Sequence, residues 1–228
     1  MVQSRTIIKP LQRVIRGTQT GKQGMSTIFE TYTAADIRHL IDRHPLAWFM
    51  TPDGEEASLL PLVGVYNEEG GLTELIGHFA RSNPLNAALA RDPRAVILFQ
   101  GPQSYVSPSQ AGRRDWGPTW NYAQLRVWAE VTVEEGLTAP SLDMLAGQVE
   151  RDKALPWTPS ELGPRYDQLI RHIVGFRARV TRTRGKFKLG QDERPDTLRT
   201  ILASMPETDL ADWMRRFNPG RWEEGSDA

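Results

Sequence analysis

Apolar and polar residues alternate most strictly over residues 125–133. Leu125, Val127, Ala129, Val131 and Val133 interleave there with Arg126, Trp128, Glu130 and Thr132. A period of two sends the two sets to opposite faces of a strand. Phe176, Ala178 and Val180 repeat the pattern against Arg177, Arg179 and Thr181. Shorter apolar runs at 46–51, 58–66, 72–80 and 95–99 predict four more strands. The first three are joined by Pro52-Asp53-Gly54 and by the polar stretch 67–71, which makes them an antiparallel meander. Gly185 permits a turn into a last strand at 186–189.

Helical spacing accounts for the remaining apolar residues. Thr33, with Asp36 three residues on, reads as an N-terminal cap. Ile37, Leu40 and Ile41 then form one face, and His44-Pro45 ends the helix. Ser82-Asn83-Pro84 starts a second helix, a cap candidate followed by proline, with Leu85, Ala88 and Leu89 facing inward. Leu142, Leu145, Ala146 and Val149 define a third. Tyr166, Leu169, Ile170 and Ile173 define a fourth, behind Pro164 and ended by Gly175. A final pair follows Pro195 and Thr208, the last one with Leu210, Trp213, Met214 and Phe217 on its apolar side. The tail from Asn218 is polar and reads as loose. Many short strands with few, segregated helices make this a β-rich α+β chain. Its expected form is a closed or partly closed antiparallel barrel with flanking helices.

At 228 residues, 39% of them apolar, the chain is one domain, or one domain with appendages. The 28 basic and 28 acidic residues cancel, which counts against broad attraction to nucleic acid or membranes. There is no cysteine, so disulfides and thiolate metal sites are excluded, and a reducing cytoplasm suits the composition. No apolar run approaches the roughly 20 residues that span a bilayer. Residues 1–24 carry Arg5, Lys9, Arg13, Arg16 and Lys22 and no acid, with a weak amphipathic stripe. An organelle transit peptide has this look. A disordered extension, or an upstream start before Met25, is the preferred reading.

Between the strands at 95–99 and 125–133 lies a stretch dense in turn formers and hydrogen-bonding side chains. It holds Gly101, Pro102, Pro108, Gly112, Gly117 and Pro118 among Tyr105, Ser107, Thr119, Trp120, Asn121 and Tyr122. Aromatics and amides on a rigid loop suit a ligand. The plainer alternative is a surface connection whose aromatics cover the core. Arg81, Ser82 and Asn83 stand where a strand yields to a helix, a place suited to a phosphate, with His78 nearby; simple helix capping is the alternative. Lys186 and Lys188 share one face of their strand and suit an anion, with Gln191 just beyond; a solvated basic face is the alternative. The four histidines lack metal-ligand spacing, and no helix carries a clear DNA-reading set of basic residues.

The segments FQGP-x-x-YVSPS at 99–109 and PTWNY at 118–122 resemble the PaiB-type family of FMN-binding proteins, named as negative transcriptional regulators. HPLAWF at 44–49, GHFARSNP at 77–84 and GKFKLGQ at 185–191 match in the same order. The resemblance implies a dimeric split β-barrel with FMN at the subunit interface. It divides the chain into an extension at 1–24, an FMN-binding domain at 25–190 and a helical appendage with a loose tail at 191–228. The implied cofactor-binding set is His78, Arg81, Ser82, Asn83, Tyr105, Ser107, Thr119, Trp120, Asn121, Tyr122, Lys188 and Gln191. Two departures stand out. Gln110–Trp116 replaces the family's Trp-Tyr after Pro108-Ser109, and Gly190-Gln191-Asp192 replaces its Ser-Gln-Asn. Three functions follow from the resemblance: a flavin-binding regulator, an FMN-dependent oxidoreductase using NAD(P)H or a small substrate, and a dimeric binding module without flavin. Neutral charge counts against direct DNA binding in any of them.

Overall fold

The structure is a computed structural model that describes residues 15–16, 28–205 and 207–223. Residues 1–24, apart from 15–16, and the end of the tail lie outside the described residues. A two-stranded ribbon pairs β1 (Ile15–Arg16) with β2 (Thr31–Tyr32). The main sheet holds β3 (Leu46–Met50), β4 (Ala57–Pro61), β5 (Val63–Tyr66), β6 (Leu72–Ala80), β7 (Arg94–Val106), β8 (Thr119–Val133) and β9 (Ile173–Lys188). Its spatial order is β4-β3-β7-β8-β9-β6-β5, antiparallel throughout. The two edge strands, β4 and β5, are separated in sequence by Leu62 alone. One bent segment therefore forms both edges, and the sheet curls until they meet. Leu62 is fully buried and its N–H donates to the Pro45 carbonyl at 3.0 Å. Closure leaves no long exposed edge. This is the expected antiparallel barrel; the single strand read at 58–66 is bent at Leu62 because its two halves pair with different neighbours.

Among the described residues, six α-helices flank the barrel: α1 (Ala34–Arg43), α2 (Pro84–Arg91), α3 (Thr138–Val149), α4 (Tyr166–Ile170), α5 (Pro195–Ser204) and α6 (Asp209–Phe217). The Thr33–Asp36 capping box is present in both directions, and Asn83 and Thr208 cap α2 and α6. Inside the barrel, Phe176 lies 5.2 Å from Phe49 and 5.1 Å from Phe79 between ring centroids. At one end, Phe187 stacks on Phe217 at 4.9 Å and on Trp213 at 5.9 Å, so α6 packs into the same core as the strands. Each such ring contributes about 1.5–3 kcal/mol of burial.

Three segments differ from their sequence reading. Half of residues 99–122 is strand: β7 runs on to Val106 and β8 begins at Thr119, paired from Val106↔Thr119 to Gln103↔Tyr122, with the loop confined to 107–118. The register shifts between Gln100 and Gln103, so Gly101 and Pro102 occupy a bulge, where proline is tolerated in a strand. Gly175 and Gly185 end no helix and make no turn; both lie within β9. A Cβ on Gly175 would stand 2.5 Å from the Leu137 carbonyl carbon, and one on Gly185 would stand 2.9 Å from the Tyr32 ring. Each glycine permits a close approach. Asn218, read as the start of a loose tail, is buried and donates to the carbonyls of Leu189 and Met214 at 2.9 and 2.8 Å.

Candidate functional site on the exposed barrel face

Alternation along β3, β4, β7, β8 and β9 sends half of their side chains outward. On this face Leu46, Trp48, Leu59, Tyr105 and Trp120 stay 52%, 43%, 47%, 43% and 55% exposed, which is high for large apolar groups. Register fixes their neighbours. Leu59 opposes Trp48, Trp48 opposes Leu98, Leu98 opposes Arg126, and Arg126 opposes Arg184. One row nearer the chain's hairpin end, Gln124 opposes Lys186, and Tyr122 opposes Lys188 and Gln103. The β4–β3 half of the face is thus apolar and the β8–β9 half cationic.

Much of the basic run on β9 is already neutralised. Arg177 pairs with Glu74 and Glu134, Arg179 with Glu130, and Arg184 with Glu30. Lys188 donates to the Thr119 hydroxyl. Arg182 instead lies over the Trp128 ring at 3.5 Å, with Arg126 at 5.6 Å. Sequence reading missed this Arg126–Trp128–Arg182 group. The signal was present in the alternation of residues 126, 128 and 130, which placed an aromatic between charges on the outer face.

The predicted site residues fall into two clusters. At the hairpin end, Tyr105 and Trp120 sit with ring centroids 6.0 Å apart, near Tyr122, Thr119 and Lys188. Ser107 begins the connecting loop, where its N–H donates to Gln110 Oε1 at 2.9 Å. Asn121 points the other way: it is buried, and its amide donates to Met214 Sδ at 3.6 Å. Gln191 is tied to the backbone of Leu189 and Phe187 at 2.7 and 2.6 Å.

The second cluster lies where β6 ends and β9 begins. Arg81 forms a bidentate pair with Glu135 at 2.5 and 2.6 Å, and its Nε donates to the Arg171 carbonyl at 2.9 Å. Its hydrogen bonds to Glu135 hold Arg81 above its ordinary pKa and Glu135 below its own. Ser82 is exposed. Asn83 caps α2 through the Leu85 N–H at 3.0 Å, and the Asn86 N–H bonds the Asn83 carbonyl, so the first turn is largely satisfied. His78 sits under α3, its Nδ1 3.2 Å from Ser141 Oγ, and burial lowers its pKa.

A curled antiparallel sheet closed through Leu62 and flanked by helices defines an antiparallel barrel class. The chain belongs to the family described as "Putative FMN-binding domain", whose pattern matches residues 25–182. It is similar to the Bacillus subtilis protein named "Protease synthase and sporulation protein PAI 2", at 24% identity over 181 residues, covering 78% of this chain and 86% of that protein. Among solved structures, the FAD and heme binding protein of Mycobacterium smegmatis shares the fold at TM-score 0.51 and 17% identity, over 68% of this chain and 71% of that one. The flavocytochrome Anf3 of Azotobacter vinelandii does so at TM-score 0.50 and 13% identity, over 76% and 74%. Among the described residues, no helix is long and apolar enough to cross a membrane.

Proposed function

We propose that two copies of this chain hold FMN in the seam between them. One observation carries the reading: the two motif clusters lie at opposite ends of β9. Arg81 and His78 adjoin its start, near Ile173 and Gly175, while Tyr122 pairs with Lys188 at its end. The interval from Ile173 to Lys188 is roughly 50 Å of strand at about 3.3 Å per residue. Along the strand this exceeds the length of a mononucleotide, which supports two chains sharing one ligand. A two-fold pairing through the apolar half of the exposed face sets one copy's Arg81 cluster against the partner's aromatic cluster.

The residues fit the group. Arg81 and Ser82 supply phosphate donors once Glu135 yields. Tyr105, Trp120 and Tyr122 supply broad faces with polar tips, and Lys188 with Thr119 supplies a cation and a hydroxyl. His78, Asn83, Ser107, Asn121 and Gln191 act as positioning residues that fix α3, α2, the hairpin loop, α6 and the end of β9. When bound, FMN supplies one- or two-electron transfer through its ring. The chain's part is to orient that ring and exclude water. On this reading residues 25–190 are the flavin domain, 191–228 a helical appendage that shares its core and 1–24 an extension. A regulatory role then acts through the flavin state or a protein partner rather than a DNA-reading helix, in a reducing cytoplasm.

Subunit complementation tests this. Arg81→Ala and Lys188→Ala each weaken FMN binding. Mixed and re-equilibrated, they restore about a quarter of the sites, because half of the dimers are mixed and each mixed dimer holds one intact seam. No restoration on mixing, with both variants folded and dimeric, places both groups on one chain's ligand and overturns the shared seam.

A further inference from the structure

Away from both motif clusters, the exposed face opens into a cavity of about 370 Å³ lined by Pro52, Arg94, Val96, Trp128, Glu130 and Thr181. A β-bulge shapes it. Trp128 opposes Arg182 but Ala129 opposes Val180, so Thr181 is the extra residue, and its hydroxyl donates to the Trp128 carbonyl at 3.0 Å. Bulges re-aim side chains and recur beside ligand sites. The acids nearest the cavity are taken: Glu130 by Arg179 and Asp92 by Arg94. Arg182 and Arg126 stand 3.5 and 5.6 Å from the Trp128 ring and make no ion pair among the described residues.

We propose that this cavity is a second ligand site, for a planar aromatic ring that bears an anionic group. Neither Arg126 nor Arg182 lines the cavity, but both guanidiniums stand against Trp128, which does, and a planar N–H fork beside the opening matches a phosphate or a carboxylate. Pro52 and Val96 give the apolar wall that a ring needs. The volume lies at the lower end of the range for small-molecule sites. Tyr122 and Trp128 are about 20 Å apart along β8, so a flavin held at the hairpin end leaves this cavity free. The site does not depend on the flavin reading.

Calorimetric titration of the full chain at low salt tests it, with AMP, benzoate and adenosine as probes. AMP or benzoate saturates, and adenosine binds at least about ten-fold more weakly. Preference for AMP assigns the anion as phosphate; preference for benzoate assigns it as carboxylate. The R126Q/R182Q double variant loses the bound anion by about ten-fold or more, while its FMN titration is unchanged. If that variant fails to fold, the R126K/R182K pair keeps both charges and loses only the planar forks, and it shows a smaller loss. Absence of saturation by either anion overturns the site, as does native-like binding in the folded double variant. Parallel loss of probe binding and FMN binding in the folded double variant also overturns it, because the arginines are then part of the flavin's own site. Loss of FMN binding alone, with the probe still bound, bears only on the seam.

Discussion

Gly175 shows how far a single residue can be read from sequence. A glycine after a helical pattern signals a stop, and that signal is indistinguishable from a glycine inside a strand where another backbone passes close. Here the neighbour is the Leu137–Thr138 backbone, at 2.5 and 2.6 Å from an added Cβ. Backbone cannot yield as a side chain can, so Gly175→Ala loses about 3 kcal/mol in urea unfolding, at the upper end of overpacking costs. Arg81 was legible as an anion-binding candidate, but its partner Glu135 was not, since 54 residues separate them. Any phosphate at Arg81 must displace that carboxylate. Glu135→Gln therefore tightens FMN by about two- to five-fold, read by flavin fluorescence, and leaves riboflavin unchanged. Burial lowers the pKa of His39, His44 and His78 from the ordinary 6.5. The unfolded chain then takes up protons that the fold refuses. Stability is flat above about pH 6.5, falls as pH drops towards the lowered folded values, and levels off below them. His78→Gln removes its share of that slope in pH-dependent thermal melts.

At the scale of elements, capping and periodicity were the reliable signals. Thr33–Asp36, Asn83-Pro84 and Thr208 marked helix starts, and residues 125–133 marked β8, because each depends on neighbours in sequence. The extent of β7 and β8 was not legible. Gly101 and Pro102 read as loop, yet a bulge absorbs both and the ladder resumes at Gln103↔Tyr122. That pairing turns Asn121 towards the core and Trp120 and Tyr122 outward, a division that a loop reading cannot supply. α6 was legible as an amphipathic helix, though its target was not. Trp213 is 1% exposed and stacks on Phe187 at the end of the barrel. Trp213→Ala costs about 3–5 kcal/mol in chemical denaturation, the range for a large buried aromatic.

For the molecule as a whole, strand count and turn chemistry pointed to an antiparallel barrel. Its closure through Leu62 was marked only by Pro61, a residue that fits an edge strand as readily as a bend. Family likeness, rather than pattern, supplied the flavin and the dimer. The geometry adds a reason to propose a dimer: the two motif clusters stand at opposite ends of β9, and the β4–β3 half of the outer face is apolar. Sedimentation velocity of the full chain with FMN, followed at the flavin absorption band, tests this most directly. The account predicts a flavin boundary that moves with a dimer and carries one FMN per chain. Flavin that stays behind as free ligand, or that travels with a lone subunit, contradicts it.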